Sequence, residues 1–171
     1  AVRHIVGVQF RNLATVGGSV YGRFGFSDVL TLLLAMQTEV ELYKGGVVPL
    51  SEYAQRPYDR DILVRVLVPK EHARFCYQSV RNSQTDIPVL TCAAARLQDG
   101  SYRFAVGARP LKAVLYEEPA APAQQLAETI QQQVVTGSNM RGSAEYRRHL
   151  TGVLVRRAAE ELENRAVQEG N

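Results

Sequence analysis

The chain has 171 residues, 46% hydrophobic and 22% charged, with 20 lysines and arginines against 17 aspartates and glutamates for a net charge of +3. That balance excludes a wholly disordered chain and supports a packed core. The basic residues are interspersed with nearly as many carboxylates, which argues against a nucleic-acid partner; the longest apolar run, VLTLLLAM from Val29, falls far short of the roughly 20 residues of a membrane-spanning helix.

The opening AVRHIVGVQF lacks the succession of basic, apolar and small residues of a secretory signal, so a cytoplasmic location is expected. Cys76 and Cys92 stand in apolar contexts and give neither a disulfide framework nor a ligand set; buried thiols are expected. His4, His72 and His149 are too scattered for a metal site, and no nucleophile elbow of the GxSxG kind occurs.

In chain order, residues 11–20, RNLATVGGSV, set two glycines between hydroxyl residues. On the residues alone this is either a sharp turn or a nest in which the N–H groups of residues 15–19 converge on an anion such as a diphosphate. It is neither a Walker A loop nor a GxGxxG loop. Ser27 and Asp28 then open a buried helix with Leu30, Leu33 and Leu34 at helical spacing. TEVELYKGGVVPL predicts a β-hairpin turning at Lys44-Gly45-Gly46, and DILVRVLV, residues 61–68, predicts a strand that Pro69 ends.

Residues 73–80 alternate weakly, and the run from Pro88 predicts two strands joined around Asp99-Gly100. A helix after the prolines of EEPAAPAQQLAETIQQQVV would place Leu126, Ile130, Val134 and Val135 on one face; Ser143 begins a last helix with Leu150, Val153, Leu154 and Ala158 inward. Its arginines, Arg147, Arg148, Arg156 and Arg157, are expected on a solvated face with Glu145, Glu160 and Glu161 as partners. The fold class is α+β, in two parts with a soft boundary near Pro69: residues 1–69 and 70–171.

Three ordered blocks, covering most of the chain, carry a family resemblance. RNLATVGGS matches an (I/V)(R/K)N-x-(A/G)T(I/V)GGN core, followed about ten residues on by a helix-opening aspartate, Asp28, and a hairpin ending in Val48-Pro49-Leu50. RNSQTDIPVLTCAAARLQDGSYRFAVGA matches an arginine-containing loop, Asp-Ile, a small-residue strand, a turn and a second strand. GSAEYRRHLTGVLVRRA matches a closing helix, with Ser143, Tyr146, Arg147, Leu150, Arg156, Arg157 and Ala158 in register. Together they resemble the FAD-binding subunit or domain of the xanthine dehydrogenase and carbon monoxide dehydrogenase family of molybdenum hydroxylases.

The resemblance implies part of a two-lobed FAD-binding domain (residues 1–69) followed by a C-terminal antiparallel sheet with two helices (residues 70–171). It implies that Thr15, Val16, Gly17, Gly18 and Ser19 wrap the FAD diphosphate, with Ser19 replacing the family's usual asparagine. Asp28 would accept from a sugar or ribityl hydroxyl, and Ile5 and Val64 would line the cofactor. Tyr21 would either pack on the isoalloxazine or be a partly buried turn tyrosine. Arg81 and Asp86 fall in a loop beside the ring, where a solvated pair is the plainer expectation, and Gln78 stands where many relatives carry lysine.

The resemblance also implies electron flow from a molybdenum cofactor and [2Fe-2S] clusters on partner subunits, through FAD, to a soluble acceptor such as NAD, with no residue of this chain acting as general acid or base. The family's N-terminal lobe carries a second phosphate loop, and the TVGG run lies only about ten residues from Ala1, so the FAD cradle is expected to be incomplete in this chain. The alternative expectation is a flavin-free lobe that docks partner subunits.

Overall fold

The computed structural model describes residues 1–5 and 7–169. After a single 3-10 turn at Val2–His4 come α1 (Val8–Leu13), α2 (Val16–Tyr21) and α3 (Asp28–Ala35). A small antiparallel sheet follows, β1 (Glu39–Leu42), β2 (Gly46–Pro49) and, after the one-turn α4 (Leu50–Tyr53), β3 (Leu63–Leu67), in the order β2-β1-β3. The second sheet is a four-stranded meander, β4 (Arg74–Val80), β5 (Leu90–Arg96), β6 (Tyr102–Gly107) and β7 (Val114–Glu118), and the chain ends in α5 (Ala123–Gln133) and α6 (Ala144–Glu169). This is the expected α+β architecture.

The meander is the middle layer of the molecule. Cys92, Ala94, Phe104 and Val106 face α5 and α6 and join a core with Leu126, Ile130, Leu154 and Val155. Ala93 and Ala105, one position along, face the other way and join a core with Leu30, Leu34, Val40 and Leu50. With both faces dry, the strands need no polar alternation, which is why TCAAA and FAV read as continuous apolar runs. The small side chains on the α3 side let that helix lie close against the sheet.

Close approach recurs along this seam. A Cβ on Gly107 would lie 2.4 Å from Thr31 Oγ1, 2.6 Å from Thr91 Oγ1 and 2.8 Å from the Gly25 carbonyl, so only glycine fits there. That carbonyl accepts from the Ala108 N–H at 2.5 Å, pinning the residue 22–27 loop to the end of β6. The connector between the sheets is held by Glu71, whose carboxylate takes two bonds from the buried Arg103 guanidinium at 2.6 and 2.7 Å.

Sequence expectations and structure part company at a few places. The TVGGSV run is helical rather than a loop, because the Thr15 hydroxyl accepts from Gly18 N at 3.0 Å and caps the turn. β7 had no sequence counterpart. Val135 lies beyond the end of α5 and is 63% exposed, leaving Leu126, Ile130 and Val134 as the buried face. Arg147 is buried, not solvated: it donates to the carbonyls of Val89 and Gly137 at 2.9 Å, to Gly142 O, and to Asn139 Oδ1 at 2.5 Å. Four oxygens take four of its five N–H donors and so offset much of the cost of burying it.

Candidate functional site

The glycine pair owes nothing to positive φ, since both glycines are helical. What they leave is space: a Cβ on Gly17 would meet nothing within 4 Å, and one on Gly18 would meet only Thr15 Oγ1, at 3.0 Å. Instead of five N–H groups converging as a nest, Gly18 N is taken by the Thr15 hydroxyl and Ser19 N by the Thr15 carbonyl at 3.1 Å. The Ser19 hydroxyl is also spent, on the Thr15 carbonyl at 2.9 Å. The first-turn amides of Val16 and Gly17 remain without a partner among the described residues, as helix geometry requires.

Asp28 opens α3 behind its Ser27 cap, whose hydroxyl accepts from Leu30 N at 3.2 Å. Its Oδ1 receives the Arg81 guanidinium at 2.6 Å and the Tyr77 hydroxyl at 2.5 Å. The ion pair is buried, the two side chains being 8% and 7% exposed, and Asp28 Oδ2 makes no hydrogen bond among the described residues. Burial, followed by the Asp28 charge, raises the Tyr77 pKa well above the ordinary phenol value, so the hydroxyl is a permanent donor here. Arg81 also donates to the Asp86 carbonyl at 2.6 Å. Asp86 in turn pairs with Arg141 at 2.8 Å, and that bond, with the Ile87 amide, holds its carboxyl below the usual range.

Between these groups lies a cavity of about 560 Å³, within the span of about 300–1,000 Å³ common for small-molecule sites. Thr15, Gly18, Ser19, Asp28, Arg81 and Asp86 supply its polar wall. Ile5, Phe10, Ala14, Phe24, Phe26 and Ile87 are among its apolar walls, the rings of Phe24 and Phe26 stacked 5.2 Å apart. A mostly apolar pocket with a few convergent polar groups suits a large amphipathic ligand. By contrast, the groove on α5 and α6 is lined only by the polar residues Glu128, Gln131, Gln132 and Arg148.

Of the residues singled out in the sequence, the cavity brings together Ile5, Thr15, Gly18, Ser19 and Asp28, with Arg81 and Asp86. Val16 and Gly17 are adjacent in α2 but not in its lining. Tyr21 lies elsewhere, its ring 5.7 Å from the buried Arg23 guanidinium, which also stacks against Tyr53 and Tyr58. Val64 is exposed on β3, outside the cavity lining. Arg81 and Asp86 are not paired with each other, because Asp28 and Arg141 are the stronger partners by geometry. Gln78 points to the α6 side, donating to Glu161 Oε2 at 3.4 Å.

Beside it Cys76 donates to the same carboxylate oxygen at 3.0 Å, and burial pushes its thiol up to about 12; Cys92 is likewise buried and raised. Both thiols are buried, as expected from the sequence. Among the described residues no cluster of histidine, cysteine and carboxylate side chains could hold a metal ion, and no helix is long and apolar enough to cross a membrane.

Sequence reasoning missed Tyr77, Phe10, Phe24 and Phe26. Period-two alternation in residues 73–80 does set Tyr77 opposite Cys76 and Gln78, and so toward α3, but its Asp28 partner is 49 residues away in the chain.

Known proteins supply an independent comparison. A family profile described as the FAD binding domain in molybdopterin dehydrogenase matches residues 1–71, and one described as the CO dehydrogenase flavoprotein C-terminal domain matches residues 75–162, just over half of the chain. An uncharacterized protein of Escherichia coli, YgfM, is 26% identical over 162 residues, which are 91% of this chain and 62% of that relative. The putative xanthine dehydrogenase FAD-binding subunit XdhB of Escherichia coli is 29% identical over 188 residues, covering 94% of this chain and 64% of that one. The chain thus spans less than two thirds of the length of these curated relatives.

Among solved structures, carbon monoxide dehydrogenase from Hydrogenophaga pseudoflava superimposes with a TM-score of 0.81 at 19% identity, covering 95% of this chain and 65% of that chain. Quinoline 2-oxidoreductase from Pseudomonas putida 86 does so with 0.80 at 19%, with the same coverage. These structures share the fold. The side-chain-free surface at Gly17 and Gly18, the two unpartnered amides and the free oxygen of Asp28 fit a dinucleotide with phosphates and sugar hydroxyls. The chain belongs to the family of FAD-binding flavoprotein subunits of the molybdenum hydroxylases.

Proposed function

We propose that this chain is the flavoprotein module of a molybdenum hydroxylase-type oxidoreductase and that its cavity receives FAD. The observation that carries the reading is one cavity wall joining Thr15, Gly18 and Ser19 to Asp28, the residues expected at the diphosphate and at a sugar hydroxyl. Val16 and Gly17 would give their free amides to phosphate oxygens, Asp28 Oδ2 would accept from a hydroxyl, and Ile5 would cover an apolar face. Tyr21 and Val64, on the β3 side of α2, would meet a part of the cofactor that extends beyond the cavity. The flavin supplies the redox chemistry; this chain binds, orients and shields it.

In the complete assembly, electrons would come from iron–sulfur clusters and a molybdenum cofactor held by partner subunits and leave to a soluble acceptor such as NAD. The division at about residue 69 would separate the lobe that touches the diphosphate from the lobe that supports it. The rest of the cradle would come from the third of the relatives' length that this chain does not span.

A second reading, a lobe that docks partner subunits without flavin, is favoured by α1, none of whose residues is buried. FAD titration followed by flavin fluorescence separates the two. Saturable binding that Gly18→Asp abolishes, with the melting temperature kept, supports the cofactor reading. Absence of saturable binding at high FAD concentration supports docking alone, and binding that Gly18→Asp leaves intact removes the cofactor from this cavity wall.

A further inference from the structure

We propose that Tyr77 is a positioning residue of the cofactor site: with Arg81 it saturates Oδ1 of Asp28 and thereby fixes Oδ2 as the acceptor presented to a ligand hydroxyl. The inference rests on the FAD reading and deepens it, because it assigns the definition of the acceptor to the C-terminal half of the chain.

A carboxylate on the first turn of a helix can rotate, and either oxygen can face a ligand. Here both strong donors converge on the same atom, at 2.5 Å from Tyr77 and 2.6 Å from Arg81, in a buried setting. Two charge-assisted bonds to one oxygen fix the torsions of the group that carries the other. Arg81 additionally neutralises the carboxylate, so a cavity meant for a phosphate-bearing ligand does not repel it.

Tyr77 is itself rigid. Its backbone lies mid-strand, paired with Ala93 of β5, and its ring packs in the core under α3. Beside it in the sheet, Thr91 Oγ1 lies 3.3 Å from Thr31 Oγ1, which donates to the Ser27 carbonyl at 2.9 Å. The strand paired with that of Tyr77 is thereby tied to the helix that carries Asp28.

Two readouts on the intact chain test this. The first needs no FAD: a low-field phenolic hydroxyl proton in the NMR spectrum, assigned by its loss in Tyr77→Phe, is expected to shift or vanish in Asp28→Asn. If it is indifferent to Asp28→Asn, Tyr77 does not hold the carboxylate and the proposal is overturned whether or not FAD binds.

The second is a double-mutant cycle on the FAD dissociation constant. Tyr77→Phe is expected to weaken binding roughly 5-fold, the scale of one ordinary hydrogen bond because the effect reaches the ligand through Asp28, and to have no effect once Asp28→Asn is present. An equal loss in both backgrounds would mean that Tyr77 acts only through the fold. A wild-type chain that takes up no FAD sinks the cofactor reading at the cycle's first step, while the hydroxyl proton still decides the positioning.

Discussion

The layer formed by β5, β6, α5 and α6 and the stretch from Val2 to Phe26 use apolar residues in opposite ways. In the first, Phe104 is 0% exposed and belongs to a core that the layer closes with its own side chains. In the second, Leu13 is 86% and Phe10 59% exposed, with Val8, Val16 and Phe24 beside them in sequence. Exposing apolar area costs the same per unit in both places. The difference is therefore in what covers it: the C-terminal layer covers itself, whereas the N-terminal stretch surrounds a cavity and leaves its apolar surface for something else to cover. Clustered exposed apolar groups of this kind mark binding surfaces in soluble proteins.

Changes in the self-covered layer should have the largest effects on stability. Phe104→Ala empties a wholly buried site and should cost about 3–5 kcal/mol in urea unfolding, by analogy with other buried aromatic truncations. At the seam, Gly107→Ala forces a methyl against Thr31, Thr91 and the Gly25 carbonyl; the expected cost is about 1–3 kcal/mol. A neutral outcome at Gly107 would mean that the two halves are not pressed together as described.

The rim of the cavity should respond to pH in a modest way. Asp86 has its folded-state pKa lowered, first by the Arg141 bond and then by the Ile87 amide. Its contribution is therefore present above the unfolded carboxyl value of about 3.9 and is lost as pH falls through the lower folded value. Urea midpoints measured from neutral pH downward should fall less steeply for Asp86→Asn than for the wild type in the region below about pH 4. Parallel curves would remove Asp86 from the account.

The smallest effect should come from the uncovered stretch. Leu13→Ser should change stability by no more than about 0.5 kcal/mol, since Leu13 is 86% exposed, and should reduce association with whatever covers α1. A large loss of stability there would erase the contrast between the two regions.

Legibility in the sequence followed the same division. The Ser27-capped helix, the hairpin around Lys44-Gly45-Gly46, the Asp99-Gly100 turn and the long last helix are local patterns, and they formed as local patterns predict. α2 was hidden because two adjacent glycines each disfavour a helix by about 1 kcal/mol, and the Thr15 cap and packing against α3 and β3 override that. Arg147 was misplaced because a helical arginine is usually solvated, and nothing local shows that the carbonyls of residues 89, 137 and 142 converge on it.

At the site, Thr15, Gly18, Ser19 and Asp28 of the family motif fall on one cavity wall. The partners of Asp28 lie 49 and 53 residues away, and Asp28 could not be matched to either without the fold.

If the cavity wall of Thr15, Gly18, Ser19, Asp28 and Arg81 receives FAD, amide NMR shifts on addition of FAD are the measurement to make, because a weak or partial site still moves resonances. Saturable shifts are expected at Val16, Gly17 and Gly18, extending to Asp28 and Arg81, with α5 and α6 unmoved. No shift at these amides, or shifts confined to the α5–α6 groove, would contradict it.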